Sequence, residues 1–93
     1  MFNVAVVGAT GAVGGTMLRV LEERGFPVTE LRALASARSA GHQLDYLGKP
    51  VFVETLTEDS FEGVHIALFS AGGDRSRTFA PAAVEAGAVV IDN

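Results

Sequence analysis

The sequence predicts an α/β fold of Rossmann type, a mostly parallel sheet with flanking helices that forms a truncated nucleotide-binding domain. Three observations predict it. Val4-Ala5-Val6-Val7 is a short apolar run that enters Gly8-Ala9-Thr10-Gly11-Ala12-Val13-Gly14, a turn with glycine at every third position. An amphipathic segment and then a second strand-like segment follow within roughly 30 residues, the length of a βαβ unit with right-handed crossover. Further apolar runs alternate with helix-like stretches to the end of the chain, as parallel strands and their crossovers do.

Taken in order, the run at residues 4–7 is the first buried strand. After the turn, Val13, Met17, Val20 and Leu21 recur at helical spacing while Arg19, Glu22, Glu23 and Arg24 take the other face, which predicts an amphipathic helix of about three turns. Gly25 is placed as a left-handed stop, and Pro27 cannot continue the helix. Residues 30–35 read as the second strand, interrupted by Arg32. Residues 36–41 form a polar loop at its carboxyl end, where open α/β sheets place their ligands. Residues 43–46 and 51–55 read as short strands around a turn at Leu47-Gly48-Lys49-Pro50, a hairpin-like excursion from the main sheet. Residues 57–63 suit one capped helical turn, and residues 65–69 are a third buried strand ending in Ser70-Ala71-Gly72-Gly73. Asp74 caps a helix running to Ala86, kinked or split by Pro81; Gly87 ends it, and residues 88–91 are a fourth strand. Leu18, Leu21, Leu31, Leu34, Ile66, Leu68, Val84 and Val90 are assigned to the core. A central-looking strand with no element after it to cover it is expected of the front part of a longer protein.

Ninety-three residues, 48% of them hydrophobic, suffice for one compact α/β unit but are short for an oxidoreductase holding both a dinucleotide and a substrate. The formal net charge is −4, and the seven basic residues are scattered, which leaves no footprint for nucleic acid or an anionic membrane. No apolar run approaches a membrane span, and the opening Met-Phe-Asn-Val has neither the basic start nor the cleavage site of a signal peptide, so a soluble cytoplasmic protein is expected. Cysteine is absent. That excludes disulfides and cysteine-ligated metal, and it removes the commonest nucleophile of aldehyde chemistry from this chain.

The glycine turn carries the main functional signal. Gly8 allows a tight turn at the strand end, Gly11 close backbone approach of a pyrophosphate, and Gly14 close packing of the helix on the strand, with the anion seated on the free amides and positive end of the helix. The loop Ser36-Ala37-Arg38-Ser39 carries the second. An NAD-preferring site would place an acid there to accept from the ribose hydroxyls, whereas two hydroxyls and a guanidinium suit a 2′-phosphate and so point to NADP. Against this stands a plain solvated loop. Ser70-Ala71-Gly72-Gly73 is the third, small residues that admit the middle or nicotinamide end of an extended dinucleotide, or else an ordinary helix entry. His42 and His65 have no catalytic neighbours in motif spacing and are not assigned as catalytic. Asp45, Glu54, Glu58, Asp59, Glu62 and Asp74 form no metal-ligand pattern and read as a solvated surface.

The residue blocks 8–14 (Gly-Ala-Thr-Gly-Ala-Val-Gly), 24–28 (Arg-Gly-Phe-Pro-Val), 34–41 (Leu-Ala-Ser-Ala-Arg-Ser-Ala-Gly), 69–73 (Phe-Ser-Ala-Gly-Gly) and 90–93 (Val-Ile-Asp-Asn) together resemble aspartate-semialdehyde dehydrogenase, in order and over essentially the whole chain. The resemblance implies an NADP-dependent oxidoreductase of lysine, threonine and methionine biosynthesis. Such an enzyme interconverts aspartyl phosphate and aspartate semialdehyde through a cysteine thioester and acts as a homodimer. It further implies that residues 1–93 are the amino-terminal cofactor-binding domain, with the catalytic and dimerisation part absent. Thr10, Gly11, Ala12 and Val13 match the family's pyrophosphate loop; Ser36, Arg38 and Ser39 match its 2′-phosphate segment. Ser70, Ala71 and Gly72 match the loop along the cofactor, and Asn93 the asparagine that opens the nicotinamide-side segment. The family's cysteine, histidine base and substrate-binding arginines match nothing here, so no catalytic residue is assigned and the chain alone is expected to be inactive. Two further readings stay open: a noncatalytic cofactor-binding homologue or interaction module, and an N-acetyl-glutamyl-phosphate reductase, whose pattern fits residues 26–27 and 35–41 less well.

Overall fold

A computed structural model describes residues 1–70 and 73–92. Five parallel strands form the main sheet: β1 (Phe2–Val7), β2 (Val28–Ala35), β5 (Glu54–Thr55), β6 (Ile66–Phe69) and β7 (Val89–Asp92), in the order β5-β2-β1-β6-β7. Helix α1 (Ala12–Glu23) joins β1 to β2, and α2 (Gly73–Glu85) joins β6 to β7. A two-stranded antiparallel ribbon, β3 (Gln43–Tyr46) with β4 (Lys49–Phe52), stands apart from the sheet. Chain order in the sheet therefore runs outward from β1 on both sides, which makes the β1/β6 junction a topological switch point where ligands of such folds bind.

Two cores result, one on each face. Val6, Ala9, Leu18, Ala33, Ala35, Tyr46 and Val53 pack on the α1 side, and Ala5, Val7, Leu34, Phe61, Phe69 and Ala83 on the α2 side. Within β1 successive residues alternate between these cores, and Val4 to Val7 are all buried, as a central strand covered on both faces requires.

Several boundaries differ from the sequence expectation for physical reasons. Strand β2 starts at Val28 rather than residue 30, because Val28 already pairs with Phe2 of β1, and Arg32 does not interrupt it. The half-buried Arg32 guanidinium pairs with Glu30 at 3.1 Å and donates to the Ser60 and Glu62 carbonyls, so its charge is satisfied beside the sheet. The hairpin turn is only Leu47-Gly48, both at positive φ, and Pro50 lies inside β4 opposite Asp45. An edge ribbon tolerates the missing amide. The expected strand over residues 51–55 divides at Val53: β4 ends, and β5 joins the main sheet.

The expected single turn at residues 57–63 is a 3-10 turn over Glu58–Phe61, capped by Thr57 with a reciprocal Ser60 bond. Helix α2 is not broken by Pro81 but runs through it. Its buried side consists of Ser76 and Ala83 flanked by Phe79 and Ala80, which turns Val84, expected in the core, outward at 61% exposure. Likewise Val13 and Val20 are exposed on α1, because the helix seats itself through Gly14, Met17, Leu18 and Leu21. Among the described residues no helix is long and apolar enough to cross a membrane.

Candidate nucleotide-binding site

The glycine turn is built where β1 ends. Gly8 takes φ +82°, a left-handed conformation that side chains rarely adopt, and carries the chain out of the sheet. Its amide donates to the Leu34 carbonyl at 2.8 Å and the Ala9 amide to the same oxygen at 3.3 Å, so the turn is fastened to the end of β2. The Gly11 amide donates to the Gly8 carbonyl and the Gly15 amide to the Gly11 carbonyl, which starts α1.

The glycines are required for different reasons. A Cβ on Gly14 would stand 2.2 Å from the Gly8 carbonyl oxygen and 2.8 Å from the Ala9 Cα, so only glycine lets the helix approach the turn. Gly11 is different. Its φ is −80° and a Cβ there would meet its nearest neighbour at 3.5 Å, an ordinary contact, so neither backbone conformation nor internal packing demands glycine. What the bare Cα leaves open is the solvent side of the helix entrance, where Thr10, Gly11, Ala12 and Val13 are all exposed. The amides of Ala12, Val13 and Gly14 find no acceptor among the described residues, and no acidic side chain occupies the first turn. Such an end is positive and unsatisfied, and favours an anion.

The second group follows β2 directly. Ser36 precedes a 3-10 turn over Ala37–Ser39, and begins two residues beyond the Leu34 carbonyl that holds the glycine turn. Ser36 and Ser39 are half-buried and Arg38 is exposed, its guanidinium making no hydrogen bond or ion pair with any described residue. Arg32 and Arg77, by contrast, each hold a carboxylate.

Ser70 supplies the third group. Its hydroxyl donates at 2.8 Å to the Val7 carbonyl, with the Gly8 carbonyl at 3.2 Å, and its amide donates to Val7 at 3.0 Å. It joins the ends of β1 and β6 at the switch point, a task that its small size alone did not announce. Ala71, Gly72 and Asn93, the other sequence-predicted residues here, lie outside the described residues. The Leu34 carbonyl was not foreseen either, since only the β1–β2 register brings it beneath Gly8.

Elsewhere, His65 accepts from the Asn3 amide through Nδ1 and packs edge-on to Phe2, a structural placement. Among the described residues no group of three or more His, Asp or Glu could hold a metal ion. A cavity of about 490 Å³ lined by Glu58, Asp59, Glu62 and Glu85 opens at the other end of the sheet, near the start of β6 and β7. Its acidic lining would repel the anion that the helix entrance attracts.

Comparison with known proteins agrees with this geometry. The family model described as "Semialdehyde dehydrogenase, NAD binding domain" matches residues 3–93. Aspartate-semialdehyde dehydrogenase 2 of Vibrio cholerae is 61% identical over 92 residues, and the enzyme of Bacillus subtilis 55% over 91. This match takes in 99% of the chain and 27% of the Vibrio protein, so the chain spans little more than a quarter of that relative's length. The crystal structure of Vibrio cholerae aspartate semialdehyde dehydrogenase II complexed with ASA superposes with a TM-score of 0.96 at 60% identity, over all of this chain and 30% of that one. A Candida albicans aspartate semialdehyde dehydrogenase solved with NADP shares the fold at a TM-score of 0.78 and 23% identity, over 29% of its length. Over residues 3–93 the chain therefore belongs to the semialdehyde dehydrogenase family, as the amino-terminal NAD(P)-binding domain found in aspartate-semialdehyde dehydrogenases.

Proposed function

We propose that this domain binds NADP for an aspartate-semialdehyde dehydrogenase, a cytoplasmic homodimer when intact, that interconverts aspartyl phosphate and aspartate semialdehyde. The observation that carries this is the entrance of α1: amides without an acceptor among the described residues, no acid in the first turn, and at Gly11 an absent side chain that neither φ nor its described neighbours require. The pyrophosphate lies against Thr10, Gly11, Ala12 and Val13. Arg38, which pairs with no described residue and lies between Ser36 and Ser39, receives the 2′-phosphate through its planar donors. Ser70, Ala71 and Gly72 run along the middle of the cofactor, and Asn93 approaches the nicotinamide side. When bound, the nicotinamide exchanges the hydride that separates an acyl group from an aldehyde. This chain has no cysteine to carry a thioester, so its own part is to bind and orient.

Calorimetric titration with NADP and NAD tests the reading. The chain binds NADP more tightly, and Arg38→Ala weakens NADP about tenfold, the value of one charge-assisted contact, while NAD shifts little. Equal affinity for both, or none for either, overturns it.

A further inference from the structure

The site described so far uses only the amino end of α1, yet its carboxyl end also makes a polar contact that ordinary packing does not call for. The Glu22 carboxylate accepts a hydrogen bond from the Leu47 amide, at the tip of the β3–β4 hairpin. Leu47 has φ +52°, and among the described residues it is the one non-glycine position with positive φ. Beside it Tyr46 is 93% buried against the α1-side core, with its hydroxyl lacking a partner among the described residues.

The other end of the same hairpin is bonded to the loop that carries Arg38. The Gly41 amide donates to the Val53 carbonyl and the Val53 amide to the His42 carbonyl, both at 2.8 Å. The His42 amide in turn donates to the Ser39 carbonyl at 3.1 Å. The hairpin thus has two mounts, Glu22 at the tip and the residue 36–42 loop at the base, with its own ribbon hydrogen bonds between them. Arg38 has no bond of its own to any described residue that would place it.

We infer that Glu22 is a positioning residue for coenzyme choice: by clasping the hairpin tip to α1, it sets where the loop presents Arg38 to the 2′-phosphate. This rests on the NADP reading above. One rigid helix then serves both halves of the dinucleotide, its amino end meeting the pyrophosphate and its carboxyl-end side chain fixing the loop for the phosphorylated ribose. The burial of Tyr46 and the tight two-residue turn, whose geometry itself fixes Leu47 at positive φ, make the tip a rigid lever for the clasp.

The test titrates this chain and its Glu22→Ala and Glu22→Gln variants with NADP and with NAD, and reads hydrogen exchange at the Leu47 amide. Glu22→Ala is expected to speed that exchange and to weaken NADP about fivefold, the fraction of a charge-assisted bond that reaches the loop, leaving NAD within about twofold. Glu22→Gln keeps an acceptor oxygen and restores the preference. Should the alanine variant not fold, Glu22→Leu removes the acceptor while keeping helix propensity and apolar contact. Equal weakening of both coenzymes, no weakening, or a glutamine variant that behaves like alanine overturns the inference. A wild-type chain that does not prefer NADP overturns the functional reading instead, and the two failures are told apart by that control.

Discussion

Gly11 and Gly14 stand three residues apart in one turn, and a methyl group has opposite consequences at each. At Gly14 it would enter backbone at 2.2 Å, and backbone cannot swing aside as a side-chain tip can. Gly14→Ala is expected to lower stability by about 3 kcal/mol in urea unfolding, despite the gain in helix propensity. Gly11→Ala leaves stability within about 1 kcal/mol but weakens coenzyme, which separates a packing glycine from a ligand glycine. Tyr46 offers another residue-scale measurement, because it is the chain's one tyrosine and there is no tryptophan. Burial, and secondarily the charge of Glu22, push its phenol above the ordinary value. The folded state holds the neutral phenol, so this contribution to stability is complete below the unfolded value of about 10 and is lost as pH rises through the folded-state value. Phenolate absorbance is expected to appear at higher pH in the folded chain than in urea, and coincident curves would contradict the burial. The turn at Gly8 and the close packing at Gly14 were legible from spacing, since each follows from chain geometry over a few residues. The Ser70 hydroxyl and the Leu34 carbonyl were not, because their partners are 62 and 26 residues distant and depend on strand register.

Helices show where periodicity succeeds and where it misleads. The apolar repeat located α1 within a residue or two and placed Met17, Leu18 and Leu21 inward, but it also counted Val13 and Val20 on the buried face, which the seating of the helix through Gly14 and Leu18 leaves exposed. At Pro81 the sequence rule anticipated a kink or a split, and the helix is not split. The structure keeps the helix because Phe79, Ala80, Ala82 and Ala83 all pack against the core on either side of the proline. Pro81 and Arg77 are exposed, so water reaches the Arg77 carbonyl that the ring deprives of its helical donor. Pro81→Ala restores that bond and is expected to raise the melting temperature, with stability up by about 1 kcal/mol or more. Thr57→Ala removes the cap and its reciprocal Ser60 bond, and is expected to cost about 1 kcal/mol. A loss confined to tenths would mean that the turn is held by Phe61 packing alone.

Across the whole molecule, the fold class and the alternation of strand and crossover were legible because the pattern of apolar runs reports layers directly. Strand order was not: it is set by which faces can be covered, and only pairing reveals it. On the α1 side, Val89 and Ile91 of β7 are 62% and 50% exposed, while Val13 and Val20 of α1 are also open. Leu68 lies beneath, with Val13 and Val20 around it, in an apolar hollow of about 270 Å³. Replacing Val20 and Ile91 together by serine is expected to reduce concentration-dependent association in sedimentation, because apolar surface of this kind drives nonspecific contact. Unchanged association would move the sticky surface elsewhere. The central position of β1 has one more consequence. During synthesis the middle of the sheet emerges first, gains β2 on one flank early, and leaves the opposite flank bare until β6 appears some sixty residues later. A ribosome translating this stretch slowly would therefore hold an open half-sheet, and chaperone demand should follow codon speed between Pro50 and His65.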